Sequence, residues 1–179
     1  HSWGPLYLQE IKEYSIYESG VMIGTMTVIG LLGAVSSGFI SDKFFYSKRN
    51  IPTLLYGLLL TSSLTMLLLV PPGHYWLDMI ALGGFEFAVG GLIVFLAGLI
   101  VVDVMPKKAA GAVKGVIGLF SYLGAASQDW ISGFLIDSSK HVVEGKTCYD
   151  FDKVFYFWIG ASVLSLFLAL FAWNIKPRE

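Results

Sequence analysis

Cysteine, histidine and charge are all scarce in this 179-residue chain, and each scarcity excludes a class of protein. A lone cysteine, Cys148, cannot close an internal disulfide. His1, His74 and His141 have no partner at metal-ligand spacing, so neither a metal nor any other cofactor is expected. A net charge of −1 supplies no basic field for nucleic acid, and neither zinc spacing nor a phosphate-binding glycine loop occurs. No nucleophile pairs with a base in a plausible cleft, so the chain does not read as an enzyme.

What is abundant is apolar surface. Hydrophobic residues make up 55% of the chain and charged ones 14%, with a mean hydropathy of +0.69. That composition belongs to a protein embedded in a lipid bilayer. A helix rising ~1.5 Å per residue needs about 20 apolar residues to cross a ~30 Å hydrocarbon core. Five stretches qualify: 20–41, 51–70, 79–102, 109–136 and 154–175. Residues 1–9, with Trp3 and Tyr7 ahead of a charged loop, read as the interfacial end of a further span. The opening shows no charged start, apolar core and cleavage site, and the chain reads as a piece of something longer. The expected fold is therefore all-α, a polytopic membrane bundle of five full spans and the end of a sixth, filling residues 1–179.

Loop charge sets the expected orientation. Lys43, Lys48, Arg49, Lys107, Lys108, Lys176 and Arg178 fall on one side, against Lys12, Lys140, Lys146 and Lys153 on the other, seven to four. The richer side, with the C-terminus, is expected to be cytoplasmic. The long polar loop over residues 137–153 is then external. Glycine pairs such as Gly20 with Gly24 and Gly111 with Gly115 permit close helix approach in lipid.

The span over 109–136 is unusual in carrying Lys114 inside and Gln128 and Asp129 toward its far end. At 100° per residue, Lys114, Gly118, Ser121, Ala125, Gln128 and Ser132 fall within about 40° of one line. Val116, Leu119, Leu123, Trp130 and Phe134 occupy the opposite side. A polar or small face against an apolar one suits a helix lining an aqueous cavity. The competing reading is that Lys114, roughly 11 Å from the midplane, snorkels to the headgroups.

Glu86 lies about eight residues past Asp78, hence ~12 Å into the membrane. It reads either as a proton or cation handle or as half of a buried pair, or a protonated carboxyl. The short loop "GFISDKFFYSKRN" places Asp42 at a span end with Lys43, Lys48 and Arg49 close behind. These charges read as positive-inside loop residues, or as a charge lock with neighbouring helix ends beside the small Gly38.

That loop resembles the major facilitator superfamily motif, Gly-x-x-x-Asp-Arg/Lys followed by a basic cluster. "WGPLYLQE" and "MPKKAAGAVKGVIGLFSYLGAA" are similar to the seventh and eleventh helices of its organophosphate:phosphate antiporter branch. Phe45 departs from the glycine common in the wider superfamily. The resemblance runs from the end of helix 7 to helix 12 and implies most of the C-terminal six-helix half of such a transporter, with the N-terminal half absent. It implies exchange of a sugar phosphate or glycerol phosphate for inorganic phosphate by alternating access in a bacterial inner membrane. The family's phosphate-binding arginines have no counterpart in this chain. Lys114 is then an accessory cation for the organophosphate, with Ser121, Tyr122 and Gln128 available to substrate hydroxyls. The alternative is the branch's membrane sensor of external hexose phosphate, whose partner would be a membrane histidine kinase.

Overall fold

The computed structural model describes residues 2–46, 48–104, 106–143 and 146–171. The last four residues of the expected 154–175 span, with Lys176, Arg178 and Glu179, lie outside the described residues, as do His1 and Glu144. The described elements are α1 (Gly4–Glu10), α2 (Ile16–Phe45), α3 (Asn50–Leu69), α4 (Tyr75–Val94), a π-helical turn (Phe95–Leu99), α5 (Ile100–Val104), α6 (Lys107–Ser138), β1 (His141–Val143), β2 (Lys146–Cys148) and α7 (Asp152–Phe171). Among the described residues, five helices are long and apolar enough to cross a membrane: α2, α3, the continuous α4–π–α5 unit, α6 and α7.

These helices follow the order of the expected spans, several are longer than hydropathy alone suggested, and at the start of α2 a cap accounts for the extension. Glu18 N–H donates to Ser15 Oγ and Ser15 N–H donates to Glu18 Oε2, a reciprocal cap that starts α2 at Ile16. At its far end Tyr46 turns left-handed, with φ of 49°. Pro106 precedes the first turn of α6 in extended conformation, where its missing N–H costs nothing. Two short antiparallel strands, β1 and β2, stand within the loop read as merely polar.

Helix connectivity creates two ends. By the alternation of the helices, the α2–α3 and α5–α6 connections belong to one end, the basic end, and the α1–α2 and α3–α4 connections with β1 and β2 to the opposite, hairpin end. The main core sits toward the hairpin end, where Tyr7, Leu8, Met22, Leu67, Val154 and Phe155 are buried together. Tyr7 packs its ring 4.8 Å from Phe155 and 5.4 Å from Phe151, and donates its hydroxyl to the Leu67 carbonyl at 2.8 Å. A smaller cluster of Tyr56, Ala88 and Phe95 lies farther along α4.

The most intimate helix contact joins α2 to α4, and it depends on glycine. A Cβ on Gly33 would stand 2.1 Å from the Phe87 carbonyl oxygen, and one on Gly90 would stand 2.0 Å from that of Gly30. Backbones meet there directly, as small residues allow where packing drives association in lipid. The pairs singled out from sequence spacing do not serve this purpose: nothing lies within 4 Å of a Cβ at Gly20, Gly24, Gly111 or Gly115. An x-x-x spacing marks a possible contact face, but only the helix crossing decides which face is used.

Candidate functional site

Helix α6 carries most of the residues expected to meet substrate. Lys114, Ser121, Tyr122 and Gln128 are all exposed, and no residue in the apolar window of α6 is buried. The expected apolar face is just as open: Leu119 is 59% exposed and Trp130 77%, so exposure does not tell the two faces apart. Only the hairpin end of the polar line turns inward. Trp158 Nε1 of α7 donates to the buried Ser132 Oγ at 2.9 Å, and Gln128 and Asp129 border an open-sided cavity lined by the other helices. The Ser2 hydroxyl donates to Asp129 Oδ2 at 3.0 Å. Lys114, Ser121 and Tyr122 do not line that cavity.

The cavity has a volume of about 730 Å³ and runs from Trp3 and Gly4 along α3, α4 and α7. Glu86, itself buried, lines it from α4 together with Thr53, Ser162 and Ser165 among mostly apolar side chains. The described lining contains no lysine, arginine or histidine, so this space does not suit an anion. Among the described residues no group of three or more His, Cys, Asp or Glu could hold a metal ion.

Charge is instead concentrated at the two ends. At the basic end Arg49, just before α3, gathers three partners. Its Nε donates to Asp103 Oδ2 of α5 at 3.0 Å, and its Nη1 donates to Asp42 Oδ1 at 2.6 Å and to Ser41 Oγ at 2.9 Å, both on α2. Burial, the largest influence on this guanidinium, works against its charge. The bonds to Asp103 and Asp42 outweigh it and hold the group above its ordinary pKa. Lys43 does not join the cluster; its ammonium lies over the rings of Phe39 and Phe44. Gly38 faces Leu99 of the π turn, with a Cβ-to-Cδ1 separation of 4.0 Å, so it leaves room rather than making a tight crossing. Asp42 and Arg49, two of the residues named for an expected lock, are in contact, Lys43 and Gly38 are not part of that contact, and Asp103 was not foreseen as a partner.

A second cluster at the hairpin end was not foreseen at all. Lys12, in the loop after α1, places Nζ 2.8 Å from Asp78 Oδ1 in the first turn of α4, with both side chains no more than 1% exposed. The same ammonium donates to the Val70 carbonyl at the end of α3, and Tyr14 donates its hydroxyl to Asp78 Oδ2 at 2.7 Å. Burial and then the bond to Asp78 push the Tyr14 phenol well above its usual pKa, so it remains a donor at physiological pH. In sequence, Lys12 and Asp78 look like ordinary loop charges beside spans. The nearest signal in the sequence is the aromatic, proline-rich "VPPGHYW" that connects α3 to α4.

Comparison with known proteins settles the lineage of this arrangement. The sequence profile of the Major Facilitator Superfamily matches residues 2–127. The chain belongs to that superfamily. Among superfamily relatives, a glycerol-3-phosphate transporter of Bacillus subtilis (strain 168) is 30% identical over 177 residues, covering 98% of this chain and 37% of that protein. A probable hexose phosphate transport protein of Chlamydia trachomatis serovar D is 28% identical, covering 100% of this chain and 37% of its own length. The membrane sensor protein UhpC of Escherichia coli (strain K12) is 29% identical over 77% of this chain and 31% of its own length. This superfamily chain therefore spans a little over a third of the transporters it matches, and the organophosphate branch read from "MPKKAAG" and "GLFSYLGAA" is borne out by their names. It is a multi-pass membrane protein with an all-α scaffold.

Proposed function

We propose that this chain is the C-terminal half of an organophosphate:phosphate antiporter, exchanging glycerol phosphate or a sugar phosphate for inorganic phosphate by alternating access. The observation that carries the reading is the match over nearly its whole length to a glycerol-3-phosphate transporter. The open face of α6 supports it, because that face presents Lys114 as a point charge with Ser121 and Gln128 on the same line. A preceding six-helix half would cover the face and supply the phosphate-gripping arginines that this chain lacks. In the same reading α1 is the hairpin-end turn of a longer helix, and the cavity beside Trp3 and Gly4 gives that helix its place.

The basic end is cytoplasmic in this proposal, the membrane is a bacterial inner membrane, and the protein is not an enzyme. In this reading Glu86 and Asp129 line the wall toward the helix that α1 would continue, and Lys114 is an accessory cation for the organophosphate. The Asp42–Arg49–Asp103 cluster serves as the latch that opens and closes with the transport cycle.

A second reading is favoured by the resemblance to UhpC proteins, named as membrane sensors: binding of external hexose phosphate without exchange, relayed to a membrane histidine kinase. Full-length protein in phosphate-loaded proteoliposomes separates the two. Saturable uptake of glycerol 3-phosphate or glucose 6-phosphate, with Lys114→Ala weakening affinity about tenfold or altering preference, is the expected result, since a charge-assisted contact contributes ~1.5–3 kcal/mol. Binding of glucose 6-phosphate without uptake would replace transport by sensing, and uptake unaffected by Lys114→Ala would return that lysine to the headgroup region.

A further inference from the structure

We propose that Trp3, Gln128 and Asp129 form a subsite that reads the hydroxyl groups of the organic part of the substrate, and that this corner sets the preference for an organophosphate over inorganic phosphate. The inference deepens the transport reading and rests on it for the identity of the substrate. All three residues line the open-sided cavity where it meets α6.

Local packing brings them together. Gly133 lies one turn beyond Asp129 on the same helix face, and a Cβ there would stand 3.0 Å from Trp3 Cζ2, so glycine lets the indole reach the α6 backbone. Ser2, beside Trp3 in the chain, donates to Asp129 Oδ2 at 3.0 Å, which joins the start of α1 to α6 at this level. Ser132, one turn beyond Gln128, accepts from Trp158 Nε1 and ties the same stretch of α6 to α7. Helix α1 is anchored in turn by the buried Tyr7, whose hydroxyl donates to the Leu67 carbonyl. Groups held this way by their neighbours lose little freedom when a ligand arrives.

The chemistry of the corner suits alcohols. An ionised carboxylate only accepts hydrogen bonds, an indole N–H only donates, and a primary amide does both. A hydroxyl both donates and accepts, so it can use each of the three. Trp3 Nε1 is buried without a partner among the described residues, whereas buried polar groups are nearly always paired, and a substrate hydroxyl supplies the acceptor it calls for. Ser2 engages Asp129 through Oδ2, which leaves Oδ1 for a substrate hydroxyl to donate to.

Charge fixes the direction of binding. The described lining of the cavity holds no lysine, arginine or histidine, and an Asp129 carboxylate repels a phosphate dianion. A glycerol or sugar phosphate held here therefore turns its hydroxyls toward Asp129 and its phosphate away. Inorganic phosphate has no carbon skeleton with which to use the corner. Lys114 precedes Gln128 by 14 residues, about 21 Å along the helix axis, which is farther than such a molecule spans. The lysine and the corner thus act on the substrate at different depths of its path.

Full-length protein in proteoliposomes tests the subsite through a ratio, the KM for glycerol 3-phosphate over the KM for inorganic phosphate, with melting temperature read on the same preparations. Asp129→Asn keeps the side-chain volume and removes the charge. It is expected to raise the ratio about tenfold, the ester's KM rising as a charge-assisted bond weakens and the KM for phosphate falling as repulsion is relieved. Trp3→Phe keeps an aromatic ring and loses the N–H, and is expected to raise the ratio about threefold; should Asp129→Asn lower the melt, this variant decides. An unchanged ratio, or two KM values that rise together as a damaged fold would make them, would overturn the subsite. If the wild-type protein binds glucose 6-phosphate without exchanging it, the transport reading fails on its own. The subsite is then judged by the same ratio formed from calorimetric dissociation constants of glucose 6-phosphate and inorganic phosphate in the same variants.

Discussion

Both charge clusters combine a basic residue, carboxylate and hydroxyl, the Tyr14 hydroxyl reaching Asp78 in one and Arg49 reaching the Ser41 hydroxyl in the other, but they sit in opposite environments. Lys12 and Asp78 are sealed, each no more than 1% exposed, with a carbonyl and a phenol completing the ring of partners. Arg49 is 11% exposed, yet its carboxylates are 58% and 31% exposed. Burial changes what an ion pair does. A sealed pair cannot open without leaving an unsolvated charge, and breaking one typically costs ~3–5 kcal/mol. A pair reached by water exchanges protein partners for solvent at a cost of about 1 kcal/mol or less. The hairpin-end cluster is therefore expected to stay closed, and in the proposed cycle the basic-end cluster is the one that opens; arginine suits that role because its planar fork can hold two helices at once.

The largest expected effect comes from breaking the sealed cluster. Asp78→Ala strands the Lys12 ammonium and is expected to cost ~3–5 kcal/mol, read as a lower melting temperature and poor yield of the full-length protein. Lys12→Met, Tyr14→Phe and Asp78→Leu made together are expected to recover most of that loss, because apolar groups of similar size leave nothing buried and unpaired. If the triple variant melts as low as Asp78→Ala, packing rather than charge explains the site.

Next in size is Gly33→Ala, at the crossing that lies between the clusters. Its Cβ meets the Phe87 carbonyl at 2.1 Å, so α2 and α4 must separate. A cost of about 1–3 kcal/mol is expected, comparable to overpacking a core, with thermal unfolding as the measurement. Gly24→Ala, at a position with open space, is the matched control and is expected to leave stability nearly unchanged.

The spans were legible in the sequence because crossing a bilayer imposes a length and a composition that few other constraints mimic. Their order followed from those rules, and the loop motif drew attention to Asp42 and Arg49. What was not legible has a common cause: it depends on which residues distant in sequence become neighbours. Asp103 and Arg49 are 54 positions apart, and neither residue alone differs from an ordinary interfacial charge. Lys12 meets Asp78 across two helix ends, where positive-inside counting treats it only as one loop charge among several. The π turn left no signature because "FLAGL" is as apolar as the helix around it. For Lys114 the structure leaves both faces of α6 open, so burial does not choose between the cavity-lining and headgroup readings.

The central claim is that one cluster holds the fold and the other works the cycle. Asp42→Asn in the full-length protein, with melting temperature and organophosphate exchange read on the same preparation, tests it most directly. The account predicts a melt close to wild type, since the exposed pair contributes about 1 kcal/mol or less, together with a clearly altered exchange rate. A large drop in melting temperature, or a normal melt with normal exchange, would contradict it.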